Sequence, residues 1–242
     1  MTDASQDPRH PSAYERPAVT VDLVLMSVVE EAPVVLVMRR EHAPFAGDWA
    51  LPGGFVRIDE SLDDAARRIL GEKARMDGAY VEQLYTFGAL QRDPRMRVIS
   101  TAYLALLSAD HFAAALRAAP ELRLAKALTS WAGEAGGPAT IAVDGATEAL
   151  AFDHAEILGT AVLRLRGKLD YSDVAFALLP ETFTLRQLQD IYEAVLGVTL
   201  NKPAFRRRML DKGWLEATGA RESGASFRPA ELFRRRPRNA RP

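Results

Sequence analysis

"LPGGFVRIDESLDDAARRILGEKARM", Leu51 to Met76, is the stretch from which the rest of the chain is read. With Trp49 and Ala50 it begins as an extended piece, "WALPGGFV". Ser61 then offers a hydroxyl that can accept from the free N–H groups of a first helical turn, and Asp63 and Asp64 place negative charge where a helix N-terminus favours it. Leu62, Ala65, Ala66, Ile69 and Leu70 recur at i, i+3, i+4, i+7 and i+8, so residues 61–74 are predicted to form an amphipathic helix. Upstream, "AVTVDLVLMSVV" and "VVLVMRR" read as β-branched strands joined by "EEAP". Downstream, "YVEQLYTFGAL" and "RVISTAYLALLS" read as strands around the polar loop "QRDPRM", "HFAAALRAAPELRLAKALTSW" as helical, "GEAGGPATIAVDGATEAL" as loop with short strand, and Asp153 as the cap of a helix to about Arg166.

The texture changes after "GKLDYSD". "TLRQLQDIYEAVLG" carries Leu185, Leu188, Ile191, Tyr192 and Val195 on one helical face and stops at Gly197, and "NKPAFRRRMLDKGW" follows at once as a second, basic helix. Two short helices joined by a tight turn form a helix-turn-helix pattern, which "LEATGARESGASFRPAELFRRR" would continue as a wing of two extended pieces. Charge supports that reading: residues 201–242 hold twelve Lys/Arg against four Asp/Glu, a net +8, so the remainder carries −9 of a total of −1. A basic end on an acidic body points to nucleic acid, or to a solvated charged end. The 242 residues contain no cysteine, which excludes disulfides and thiol chemistry, and the four histidines have no metal-site spacing. With no apolar run of membrane length and a polar start, residues 1–16 are expected to be a disordered leader, 237–242 a basic tail, and the protein cytoplasmic.

The opening stretch resembles the Nudix box, a glycine, five residues, a glutamate, seven residues, then R-E-U-x-E-E-x-G-U with U aliphatic. Gly54, Glu60, Arg68, Leu70 and Glu72 match; Ile69 and Lys73 stand where the family has metal-binding glutamates, and Arg75 stands at the box glycine. Positions 69, 72 and 73 project from one side of the helix, so a single oxygen ligand remains for a hard divalent cation. No metal and no catalytic residue is expected. From Arg16 to Phe233 the chain further resembles the Nudix-related transcriptional regulators of NAD metabolism (NrtR-type), through "RPAVTVDLVLM", "EQLYTFGALQRDPRMRVISTAY", "AFDHAEIL" and "NKPAFRRRMLDKGWLEATG". The resemblance implies an α+β chain: a Nudix mixed sheet sandwiched with helices (17–167), then a winged helix-turn-helix (168–236). It implies a repressor that binds a palindromic operator as a homodimer and senses ADP-ribose or a related nucleotide, with no cofactor and no membrane partner. The alternative is an active hydrolase of ADP-ribose-like diphosphates, using Glu60, Glu72 and a carboxylate from elsewhere.

A nucleotide site needs cations for the diphosphate, an aromatic plane and close backbone approach. Arg39, Arg40, Phe45, Trp49, Gly53 and Gly54 supply these just before the box helix. Of the adjacent Arg39 and Arg40, one is expected to face the pocket; Trp49 is either a stacking or a core residue. Arg68 and Glu72 either scaffold the site or form a helix-surface pair, and Lys73 either supplies charge to a phosphate or pairs on the surface with Glu72 or Asp77. Arg92, Asp93 and Arg95 lie in a loop that is either solvated or part of the site, and His154 is a ribose or diphosphate ligand or a core histidine. On the second basic helix, Phe205, Met209 and Leu210 should face the core with Trp214, while Arg207 and Arg208 point away and Asn201 and Lys202 enter the major groove first. Arg221 and Arg228 suit phosphate contacts from the wing.

Overall fold

The computed structural model describes residues 14–76, 80–222 and 229–237. The expected leader (apart from residues 14–16), the basic tail beyond 237, Asp77 and Arg228 lie outside the described residues. The apolar runs of β1 (Ala18–Val29) and β2 (Ala32–Arg39) pair antiparallel as a hairpin, and β1 pairs in parallel with β6 (Val98–Leu106) over nine residues. "WALPGGFV" becomes two short strands, β3 (Trp49–Ala50) on β2 and β4 (Gly53–Phe55) on β1. With β5 (Tyr80–Phe87), β7 (Leu122–Thr129), β8 (Ala139–Val143) and β9 (Ala146–Glu148) they form a nine-stranded mixed sheet in the order β5-β6-β1-β2-β7-β8-β9. The central strands are largely apolar because both faces of the sheet are covered, with Asp22 and Ser27 of β1 and Ser100 and Thr101 of β6 as buried polar exceptions. Val21, Leu23 and Leu25 meet α1 (Leu62–Ile69) and α2 (Ala109–Ala118) on one side. Val24, Met26 and Val28, one residue out of phase, meet α3 (His154–Tyr171) and the C-terminal half on the other.

The predicted helix at 61–74 is α1 plus a π-helical turn, Leu70–Ala74, with Ser61 Oγ accepting from Asp64 N–H as the cap. The turn ends at Arg75, which adopts the left-handed conformation (φ 53°, ψ 39°). That is where the Nudix pattern has glycine, and for arginine the conformation carries steric strain. Residues 122–129, expected to be helical, are strand β7. Pro120 stops α2, and the open edge of β2 gives Leu122–Lys126 an antiparallel partner, which outweighs the helical preference of Leu, Ala and Lys.

α3 runs five residues past Arg166 and straight through the boundary expected at 167–168, since nothing at Gly167 interrupts it. A 3-10 turn (Val174–Leu178) leads to β10 (Thr182–Phe183), α4 (Leu185–Leu196), α5 (Lys202–Asp211), β11 (Leu215–Arg221) and β12 (Glu231–Arg235). The last strands form a second sheet, β10-β12-β11. Thr184 and Gln187 cap α4 reciprocally, and Gly197, at φ 69°, ends it. One continuous apolar cluster joins the sheet face, α3, α4, Phe205 and Met209 of α5, and Phe233 of β12. Among the described residues no helix is long and apolar enough to cross a membrane.

Candidate functional site

A cleft of about 620 Å³ opens where β1, β2 and β4 meet the 88–97 loop and the start of α3. Its floor is a buried polar network. Arg92 donates through Nε and Nη2 to both carboxylate oxygens of Asp153 (2.8 and 2.7 Å) and through Nη2 to Asp22 Oδ2 (3.3 Å), which also accepts from Ser100 Oγ. Burial works against the Arg92 cation, yet the hydrogen bonds and charges of Asp153 and Asp22 hold its pKa above the ordinary value. His154 Nδ1 accepts from the Leu51 amide (3.0 Å), which fixes the start of the "LPGG" segment, and Nε2 faces Asp22 Oδ1 at 3.7 Å. Burial drives the His154 pKa down despite Asp22 and Asp153, so the ring is neutral with its proton on Nε2. Gly53 is required here: a Cβ would stand 2.2 Å from Asp22 Oδ1 and 2.9 Å from the Val21 carbonyl oxygen.

Cations line the rim. Both Arg39 and Arg40 reach the cleft, where strand alternation allowed one, because Arg40 lies beyond the end of β2 and escapes its pleat. The Arg39 guanidinium lies 4.3 Å from the Trp49 ring centroid and donates to the Gly47 carbonyl. That of Arg40 lies 4.5 Å over Phe152 and donates to the carbonyls of Pro44 and His42. Burial, then the nearby Arg95 charge, lowers the Arg40 pKa. Lys73 lines the same cleft and makes no ion pair among the described residues. Arg95 is bound to the carboxylate of buried Asp93 (3.0 and 2.8 Å), and chiefly through that hydrogen bond holds Asp93 below the ordinary carboxylate range.

The box carboxylates are occupied by guanidinium groups. Arg68 grips Glu60 with two bonds (2.6 and 2.9 Å), reaches Glu72 (3.1 Å) and donates to the Phe55 carbonyl (3.1 Å); Arg57 takes the other oxygen of Glu72 at 3.4 Å. The Arg68 hydrogen bonds pull Glu60 down to about 2. Arg68 and Glu72 thus brace the turn between β4 and α1 and do not line the cleft. Ile69 is 1% exposed in the core, and position 73 offers an ammonium. This residue set does not fit a divalent cation, and among the described residues no group of three or more His, Asp or Glu is placed to hold one.

A second charged surface lies on α5. Asn201 caps the helix, its side chain accepting from Ala204 N–H at 3.0 Å, so it holds the helix start in shape. Lys202, Arg206 and Arg207 are exposed and make no ion pair among the described residues. Arg206 therefore stands with Arg207 on the exposed side of the helix. The Arg208 guanidinium lies 5.7 Å from the ring of Tyr192 and 5.6 Å from that of Phe205, on the seam between α4 and α5. Leu210, expected in the core, is 42% exposed, because Phe205 and Met209 alone hold the inward face of this short helix.

Residues 16–129 match the NUDIX domain model and residues 175–235 the NrtR DNA-binding winged helix domain. The ADPR responsive transcriptional repressor NtrR of Acinetobacter baylyi is 35% identical over 226 residues, covering 92% of this chain and 84% of that protein. The chain belongs to the NrtR family. Shewanella oneidensis NrtR, solved with a 27mer DNA, matches with TM-score 0.75 and 34% identity over 90% of this chain and 93% of that one. A MutT/nudix family protein from Enterococcus faecalis matches with TM-score 0.74 and 26% identity over 92% and 88%.

In this NrtR-family chain the structure gathers Arg39, Arg40, Gly53, Gly54, Lys73, Arg92, Asp93, Arg95 and His154 around one cleft. Trp49 is a core residue, 6% exposed. Phe45 lies outside the lining, its ring edge-on to Phe152 at 4.8 Å. Phe152 is the aromatic that sequence reading missed, together with Asp22 on the floor. Asp22 carried a signal, as a lone carboxylate in the apolar run "VDLVLM". Phe152 carried none, since its place depends on how the chain enters α3. In the wing, Arg221 Nη1 donates to the Pro229 carbonyl at 3.1 Å, and Arg234 and Arg235 pair with Glu216 and Asp173.

Proposed function

We propose that this protein is a DNA-binding transcriptional repressor of NAD-metabolism genes. Its Nudix half binds ADP-ribose or a related NAD-derived nucleotide, and its winged helix binds a palindromic operator as a homodimer. The observation that carries this reading is the joining, in one chain, of a cation-rimmed cleft and a basic α5 face, in a sequence 35% identical over 92% of its length to a relative named as ADPR responsive. In the nucleotide reading Arg39, Arg40 and Lys73 hold the diphosphate and Phe152 presents an aromatic face to the base. In the DNA reading Lys202, Arg206 and Arg207 meet the major groove and its phosphates, and Arg221 adds a phosphate contact from the wing.

The same reading makes the chain a sensor without pyrophosphatase activity. Ile69 and Lys73 provide no oxygen ligands, and Glu60 and Glu72 are neutralised by Arg68 and Arg57. Mobility shift on the chain's own upstream DNA with and without ADP-ribose tests the function: a retarded band that ADP-ribose releases is expected, and no retardation by the full chain overturns it. Product analysis with ADP-ribose and excess Mg²⁺ or Mn²⁺ tests the rest. Turnover at about 1 s⁻¹ or faster, within the ordinary enzyme range, would establish the hydrolase instead.

A further inference from the structure

At the cleft floor two carboxylates, Asp22 and Asp153, share the single guanidinium of Arg92, and His154 beside them is neutral. These four side chains together carry one negative charge in excess, with the cations Arg39, Arg40 and Lys73 on the rim of the same cleft. Arg92 commits Nε and Nη2 to these partners, while Nη1 has no acceptor among the described residues of the cleft it lines. Asp153 immediately precedes α3, where an aspartate commonly accepts from the first-turn N–H groups. It makes no such bond and has φ −96° and ψ 19°, away from the usual extended cap. Its carboxylate is drawn to Arg92 instead.

From that point α3 runs 18 residues, about 27 Å at the usual helical rise, and its far end is fastened to the DNA-binding half. Tyr192 Oη of α4 donates to the Leu169 carbonyl (3.1 Å), Arg166 Nε to that of Val195 (2.9 Å), and Lys212 Nζ, just after α5, to that of Asp170 (2.6 Å). Between the two ends Gly159 lies directly on the chain at Gly137, where a Cβ would come within 1.9 Å of the carbonyl oxygen. The helix thus has an electrostatic fastening at one end, a backbone seat along its length and the winged helix at the other end.

We propose that the Arg92–Asp153 pair is the element through which the DNA-binding half reads the cleft: an anionic ligand engages Arg92, displaces Asp153 and re-seats α3. The proposal rests on the nucleotide-sensing reading above. A diphosphate offers Arg92 a bidentate acceptor comparable to a carboxylate, and adds negative charge beside a floor that already has an excess. It therefore binds more tightly to the arrangement in which Asp153 has moved off, and such a difference in affinity is what shifts an equilibrium. Asp153 is a positioning residue; the ligand contacts belong to the cleft.

The test uses the full chain and labelled upstream DNA, with operator affinity measured by fluorescence anisotropy at fixed salt without and with saturating ADP-ribose, and ADP-ribose binding by calorimetry. In the unaltered protein ADP-ribose should weaken operator binding by about tenfold or more, within the usual range of allosteric coupling. Asp153→Asn, which keeps the shape and removes the charge, should shrink that ratio below about threefold while ADP-ribose still binds at least as tightly. An unchanged ratio in Asp153→Asn, with both ligands bound, overturns the proposal and leaves the sensing function standing. An unaltered protein that binds both ligands with no effect of one on the other overturns the sensing reading and this proposal together. Should Asp153→Asn fail to fold, hydrogen exchange of the unaltered protein decides: amides of residues 154–158 should lose protection on ADP-ribose binding, and unchanged protection overturns the proposal.

Discussion

The cleft and α5 are both rich in arginine, and the two regions use it in opposite ways. In and beside the cleft, Arg68, Arg92 and Arg95 are each bound to carboxylates in bidentate geometry, and the Arg92 side chain is 4% exposed. On α5, Lys202, Arg206 and Arg207 stand in solvent with no carboxylate partner among the described residues. A guanidinium fixed by one or two carboxylates holds backbone segments in register and presents few donors outward. An unpaired one on a surface acts as positive charge, effective at a distance set by salt. The first kind makes a shape and the second makes a field.

The largest effect should come from breaking the fixed kind. Arg92→Ala leaves Asp22 and Asp153 buried without their cation, and denaturant unfolding should show a loss of about 3–5 kcal/mol, as for other buried pairs that lose one partner. A loss under 1 kcal/mol would mean that the floor is wetter than its burial implies. Next in size, replacing Lys202, Arg206 and Arg207 together with alanine should leave the melting temperature within a few degrees. Operator binding should fall by about a hundredfold or more at low salt, and the slope of log affinity against log salt should shrink by about 0.9 for each phosphate no longer neutralised. An unchanged slope would remove these residues from the interface.

Two smaller effects sharpen the contrast. Arg75→Gly removes a left-handed arginine from an exposed turn and should raise stability by about 0.5–1 kcal/mol, with no change in DNA affinity, by chemical denaturation. A destabilised Arg75→Gly would show that this side chain is held by more than its backbone. The smallest effect is in pH. The His154 pKa is depressed in the folded protein by burial, so folding stability is full above the unfolded value near 6.5 and declines as pH falls below it toward the folded value. His154→Gln should flatten the stability profile below about pH 6.5, and a profile of unchanged slope would place the titration on another group. Glu60, pulled down to about 2, acts at lower pH: its stabilisation is present above 4.5 and fades as pH falls toward 2.

Much of the fold was legible in the sequence because it rests on neighbours. The cap at Ser61, the stripe through Ile69, the hairpin of β1 and β2, and the α4 stop at Gly197 each follow from residues within one or two turns of one another. The exceptions have physical causes. Residues 122–129 were read from propensity, and strand pairing with β2 overrode it; Leu210 was placed by a wheel drawn on a helix too short to bury a third position.

The sequence by itself determined the strand and helix periods, the presence of Ile69 and Lys73, neither with a side-chain oxygen, on the box helix, and the sequestering of positive charge at the C-terminal end. Only the tertiary structure decided which charges are tied and which are available. Arg92 meets Asp153 across 61 positions and Asp22 across 70, and Leu51 meets His154 across 103. Such pairings are set by how the sheet, the 88–97 loop and α3 close on one another. An arginine in a loop reads the same in sequence whether a carboxylate waits beside it or water does, and burial, which makes that difference matter energetically, is a property of the closed fold.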